Sequence, residues 1–129
     1  MSKSRKNYNL KAREKGQSQR QLKVSRAAHM AIADCLRKES RLDWRLEGCP
    51  LSITKVNISA DLSVINCFFL PFNTNLSTDE ILDALDKSKF VIRAYVTKQI
   101  NLKFSPEIRF YFEASYEKMA LIESLSSDN

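Results

Sequence analysis

The hydrophobic period of this chain switches between helical and extended in an order that leaves few folds open. From about Ser18 to about Lys38, Val24, Ala28, Ala31, Ile32 and Cys35 recur at helical spacing and share one face. Lys23, Arg26, Arg37 and Met30 point the opposite way. The stretch LSITKVNIS then reads as extended, with Ile53 out of phase with Val56 and Ile58, which predicts a bulge. Ser59-Ala60-Asp61 is a turn, because Ser and Asp side chains bond nearby backbone. LSVINCFFL follows as a second strand rich in β-formers, and the two strands should pair as an antiparallel hairpin. Ser77 and Glu80 have capping-box spacing and open a helix that buries Ile81, Leu82 and Leu85. A further helix follows at once in FVIRAYVTKQI, with Val91, Ile92, Tyr95 and Val96 inward. After Pro106, Ile108, Phe110 and Phe112 alternate with Arg109, Tyr111 and Glu113 as a third strand. Ser115 caps a last short helix built on Met119, Ile122 and Leu125.

The order is therefore helix, strand, strand, helix, helix, strand and a short C-terminal helix. The economical solution is an α+β fold: one three-stranded sheet covered by helices on one face. It matches a type II K-homology topology. The GXXG loop by which such modules usually grip RNA is absent, since Gly16 and Gly48 are the only glycines. At 129 residues the chain has room for one domain. Residues 1–16 are polar and aperiodic and predict a basic flexible arm. Residues 17–126 form the domain, and 127–129 a frayed tail.

Charge is distributed unevenly along the chain. Residues 1–26 carry nine Lys and Arg against Glu14 alone, whereas the remainder holds more acids than bases. A local cationic block is an interaction signal. Anionic lipid is a poor match, because the arm offers only Tyr8 and Leu10 as apolar anchors. No run reaches a membrane span, and no apolar core follows the positive start as a secretory signal requires. The expectation is a cytoplasmic protein without a membrane partner. Cys35, Cys49 and Cys67 are odd in number and too widely spaced for a zinc knuckle, so buried reduced thiols are expected. His29 is the lone histidine, which gives a catalytic triad or metal centre little to build on. No catalytic residue, metal site or cofactor is expected. The carboxylates Asp79, Glu80, Asp83 and Asp86 read as helix-start and solvated groups rather than an acid–base pair.

Several pieces in order resemble the bacterial ribosome-binding factor A family over roughly residues 18–125. They are Arg20-Gln21-Leu22-Lys23-Val24 opening the first helix, Ile53-Thr54-Lys55-Val56, the turn Ser59-Ala60-Asp61-Leu62, Ile92-Arg93, and the run from Leu102 through Pro106-Glu107-Ile108 to Phe110. The resemblance implies the type II K-homology fold and a non-enzymatic role. It implies binding to the free, immature small (30S) ribosomal subunit, support for late 16S rRNA 5′-end processing, and greatest importance in the cold. Three positions depart from the family pattern. Ser88-Lys89-Phe90 stands where the family has A-x-G, and Phe90 lacks the backbone freedom of glycine, so an altered kink between the middle helices is expected. Trp44 stands where D-P-x-L has proline, and is expected to relax that joint and add a packing anchor. Glu113 replaces an aspartate.

Candidate RNA contacts follow from charge. They are Lys3, Arg5, Lys6, Lys11, Arg13 and Lys15 on the arm, Arg20, Lys23, Arg26 and Arg37 on the first helix, and Lys87, Lys89, Arg93 and Lys98 around the interhelical joint. Lys89 and Arg93, at i and i+4, repel mildly, and a bound phosphate would relieve that. Phe68, Phe69, Phe110 and Phe112 read as core under the helices; Arg109 and Tyr111, on the opposite sheet face, are the better exposed contacts. The partners expected are 16S rRNA and the immature 30S subunit, with the free chain a monomer. Two other classes stay open: a structural RNA-binding protein of the mature ribosome, and a small RNA-processing enzyme.

Overall fold

The computed structural model describes residues 18–47 and 51–113. The arm at 1–16, the joint at Gly48 and Pro50, the helix from Ser115 and the tail lie outside the described residues. The first helix, α1, spans Gln19–Lys38. Its start is fixed by a reciprocal box. Ser18 Oγ accepts the Gln21 N–H at 3.1 Å, and Gln21 Oε1 accepts the Ser18 N–H at 2.8 Å. Two donors that the helix leaves unpaired are thereby satisfied. Gln21 also donates from Nε2 to the Ile58 carbonyl at 3.0 Å, so a polar residue is buried at no loss of hydrogen bonding. Ala28, Ala31, Ile32 and Cys35 are buried, and Met30 is exposed, as the wheel predicts.

Strands β1 (Leu51–Ile58) and β2 (Val64–Pro71) form the antiparallel hairpin. The register slips between Ile53 and Lys55, which places the predicted bulge at Thr54. The turn between the strands is held by Ser59 Oγ, which accepts the Ser63 and Val64 N–H groups at 3.1 and 3.0 Å. Leu62 sits there at φ 61, a left-handed conformation that costs a non-glycine residue about 1–2 kcal/mol. Helix α2 (Thr78–Lys87) starts at the Ser77–Glu80 capping box, and helix α3 spans Lys89–Ile100. Strand β3 (Glu107–Phe112) pairs in parallel with β2. A parallel pair needs a crossover connection, and α2 with α3 supply it. The sheet order is β1-β2-β3. This is the predicted α+β fold of K-homology type, with the helices packed on one sheet face.

That face holds the core. Ile65, Cys67 and Phe69 of β2 and Ile108 of β3 meet Ile32, Ile81, Leu85, Ile92 and Val96 from the helices, all fully buried. Burying one such large side chain contributes about 1.5–3 kcal/mol. Cys35 and Cys67 are buried free thiols, as expected. Burial pushes the Cys35 thiol up to about 12 and moves the Cys67 thiol further in the same direction. Phe68 corrects the sequence reading. It is adjacent to Phe69, so the strand's alternation sends it to the face away from the helices. There it is buried, stacked on Tyr111 with ring centroids 5.2 Å apart, and the Lys55 ammonium lies 5.6 Å from its ring centre.

The two departures at the joint both lie in helical backbone. Ser88 alone separates α2 from α3, at φ −94 and ψ −2, and no residue from 88 to 90 has positive φ. The turn therefore needs no glycine. Phe90 lies within α3 in ordinary helical backbone, with its side chain 81% exposed. Ser88 Oγ accepts the Asp43 N–H at 2.7 Å and ties the joint to a single helical turn at Trp44–Leu46. Trp44 is not a packing anchor: it is 76% exposed, and Leu46 is the buried residue of that turn.

Candidate nucleic-acid interface

The described cations divide into those the fold consumes and those it leaves available. Arg37 belongs to the first group. Asp34 Oδ1 accepts Arg37 at 2.5 Å and pairs with Lys38 at 3.1 Å, while the Tyr95 hydroxyl donates to Asp34 Oδ2 at 2.5 Å. This network bridges α1 to α3. The Tyr95 hydrogen bond, then Lys38, holds the Asp34 carboxyl below its usual range. At the interhelical joint, Lys87 lies 3.7 Å from Asp83 and Lys89 lies 3.4 Å from Asp86. Arg93 is committed to backbone: Nε donates to the Pro106 carbonyl at 2.8 Å and Nη2 to the Ser105 carbonyl at 3.1 Å. Each member of the Lys89–Arg93 pair thus has its own partner, and their mutual repulsion is answered inside the fold. Arg45, outside the predicted set, pairs with Asp43 at the start of its own turn at 2.9 Å and pins that turn to α2 through Asp83 at 2.8 Å.

Arg20, Lys23 and Arg26 form the second group. All three are exposed, and among the described residues none has a carboxylate within salt-bridge distance. Three-residue spacing makes successive members neighbours along one flank of α1. The first turn of α1 carries no acid, and Arg20 stands close to the positive end of the helix dipole. That flank is therefore electropositive in both side chains and backbone. Lys98 is likewise exposed without a carboxylate partner among the described residues, but it lies near the far end of α3. The six arm cations Lys3, Arg5, Lys6, Lys11, Arg13 and Lys15 lie outside the described residues; in sequence they lead directly into Arg20. On the sheet face away from the described helices Arg109 is exposed and paired with Glu107 at 3.1 Å, and Tyr111 is half-buried against Phe68.

Two residues at this end were not among the predicted contacts. Lys103 and Phe104 lie in the loop between α3 and β3, and Phe104 is 76% exposed. With Arg20 and the Asp61–Leu62 turn they line a cleft of about 270 Å³. The signal for them was faint: Phe104 falls outside the alternation of β3, in a polar loop, where an aromatic residue has no core to enter. His29, the one histidine, donates from Nε2 to the Ile53 carbonyl at 2.9 Å and so ties α1 to β1. Among the described residues no group of three or more His, Cys, Asp or Glu is placed to hold a metal ion, and no helix is long and apolar enough to cross a membrane.

A family model described as ribosome-binding factor A matches residues 20–126. Ribosome-binding factor A of Rickettsia africae (strain ESF-5) is 46% identical over 119 residues, covering 92% of this chain and 99% of that one. Its counterpart in Rickettsia felis is 47% identical over 116 residues, covering 90% and 97%. Among solved structures, a crystal structure of ribosome-binding factor A from Thermus thermophilus superposes with a TM-score of 0.58 at 17% identity, covering 71% of this chain and 94% of that one. A Thermus thermophilus ribosome binding factor A homology model, fitted into the cryo-EM map of a 30S complex, gives 0.51 at 20% identity, covering 77% and 98%.

Proposed function

Because the chain belongs to the ribosome-binding factor A family, we propose that it is a non-catalytic assembly factor of the small ribosomal subunit. It binds the free, immature 30S particle in the cytoplasm and promotes late 16S rRNA 5′-end processing, with the greatest need in the cold. The observation that carries this reading is the run of Arg20, Lys23 and Arg26, exposed and without a carboxylate partner among the described residues, continuous in sequence with the basic arm. Such groups neutralise phosphates and release counterions, which gives affinity without reading sequence. The relative fitted into a 30S map supports the same partner. Binding biases rRNA conformation only if the immature form is held more tightly than the mature one. Maturation then weakens the complex, and the factor leaves.

The joint cations Lys87, Lys89 and Arg93 are poorer candidates than the α1 flank, since each already has a partner inside the fold. His29 is placed for packing, with one ring nitrogen spent on a carbonyl. The test is sedimentation of cell lysate on a sucrose gradient, probed for this chain. It should accumulate in free small-subunit fractions and be missing from polysomes, and its deletion should leave 16S rRNA with an extended 5′ end. Retention on polysomes would instead assign it to the mature ribosome.

A further inference from the structure

The cleft beside Arg20 combines features that the α1 flank alone lacks. Phe104 presents an aromatic ring that is 76% exposed. The Lys103 ammonium lies 5.6 Å from that ring's centre, so one cation is held beside the aromatic surface. Arg20 reaches the same cleft from α1. Asp61 is the acid at its edge, and one of its two carboxylate oxygens is held by the turn. Oδ1 accepts the Ser63 and Ser59 hydroxyls at 2.6 and 2.8 Å and the Ser63 N–H at 3.1 Å. The backbone that frames the cleft is set by two left-handed residues, Leu62 at φ 61 and Asn101 at φ 54. The cleft thus brings an exposed aromatic ring and two cations to one place.

We infer that Phe104, Lys103 and Arg20 form a single-nucleotide subsite for unpaired RNA, in which a base stacks on Phe104 and its flanking phosphates meet Lys103 and Arg20. Single-stranded RNA fits because its bases are free to leave the stack and lie on an aromatic ring, while the same strand presents phosphates to nearby cations. A duplex keeps its bases paired and has nothing to offer the ring. This subsite rests on the ribosomal reading above, and deepens it by naming where the chain would hold an unpaired nucleotide of the rRNA.

The test uses the full chain and two probes. One is a fluorescein-labelled twelve-nucleotide oligouridine at fixed salt, read by anisotropy, with a duplex of equal length beside it; the other is purified small ribosomal subunits, read by co-sedimentation. Phe104→Ala should weaken oligouridine binding about tenfold, leave duplex binding unchanged, and leave the salt slope unchanged, since stacking releases no counterion. Phe104→Tyr should restore the affinity. Lys103→Ala and Arg20→Ala should each flatten the single-strand slope by about 0.7. Equal oligouridine binding by wild type and Phe104→Ala, or no binding by either, overturns the subsite. If wild type still sediments with subunits in that case, the ribosomal reading stands. A Phe104→Ala loss on subunits alone would assign the patch to a ribosomal protein and likewise overturn the inference. Because the ring is exposed, the variant should melt with the wild type, which confirms that any loss is local.

Discussion

Arg93 separates a structural cation from a ribosomal one. Its guanidinium, on α3, donates to two consecutive carbonyls at the entry to β3, at 2.8 Å to Pro106 and 3.1 Å to Ser105. Pro106 is fully buried, so its carbonyl has little access to replacement water. A hydrogen bond to a charged donor contributes about 1.5–3 kcal/mol, and the more exposed Ser105 bond contributes less. Arg93→Ala should therefore destabilise the fold by about 2 kcal/mol. At about 4 °C per kcal/mol for a domain of this size, the melting temperature should fall by about 8 °C. Arg93→Lys keeps the charge but loses the planar fork that spans both carbonyls, and should cost about half as much. Thermal denaturation followed by circular dichroism measures both. Neither variant should change the slope of log K against log[salt] for rRNA binding. A melting temperature equal to wild type, together with a slope flatter by about 0.7 for Arg93→Ala, would show that the guanidinium holds phosphate and refute the reasoning.

The other predictions can be tested on the same preparations. Deleting residues 1–16 should weaken rRNA binding and flatten its salt dependence; six arm cations on single-stranded phosphates would supply a slope of about −4, and an unchanged slope would make the arm a mere tail. Ser77→Ala removes the acceptor of the Glu80 N–H and breaks the capping box of α2, which should cost about 1 kcal/mol in urea denaturation. The Cys35 thiol, raised by burial to about 12, stays protonated in the fold while the unfolded thiol ionises near 9. Its contribution to stability is therefore present below pH 9 and is lost as pH rises from about 9 towards 12. Native protein at pH 8 should react with a thiol reagent at Cys35 and Cys67 only after denaturant is added.

Much of the fold was legible because its signals are local. The Ser77 box, the helical stripe of α1 and the Ile108–Phe112 alternation each need only a few neighbouring residues, and the Thr54 bulge was announced by the phase slip at Ile53. What the sequence hid depends on partners far along the chain. Nothing local marks Gln21 for burial, yet it is buried and meets the Ile58 carbonyl across 37 residues. Arg93 read as one of a repelling pair because nothing local marks the Ser105 and Pro106 carbonyls as its acceptors. Phe68 went to the wrong sheet face because adjacent phenylalanines were read as one core group, although strand geometry must split them. At the joint, Phe90 lies inside α3, and the turn is made at Ser88 in a conformation open to any residue. For the interface, charge alone put Arg20, Lys23 and Arg26 in one set with Arg37, Lys87, Lys89 and Arg93, and could not show which cations the fold spends on its own acids and carbonyls.

The central claim, that the Arg20–Lys23–Arg26 flank and the arm before it face rRNA, is tested most directly by cryo-EM of this chain bound to immature small subunits. The account predicts 16S rRNA phosphates within hydrogen-bond reach of those three side chains, with the α2–α3 joint making fewer phosphate contacts. A particle in which the α1 flank faces solvent, while the joint lies on the rRNA, would contradict it.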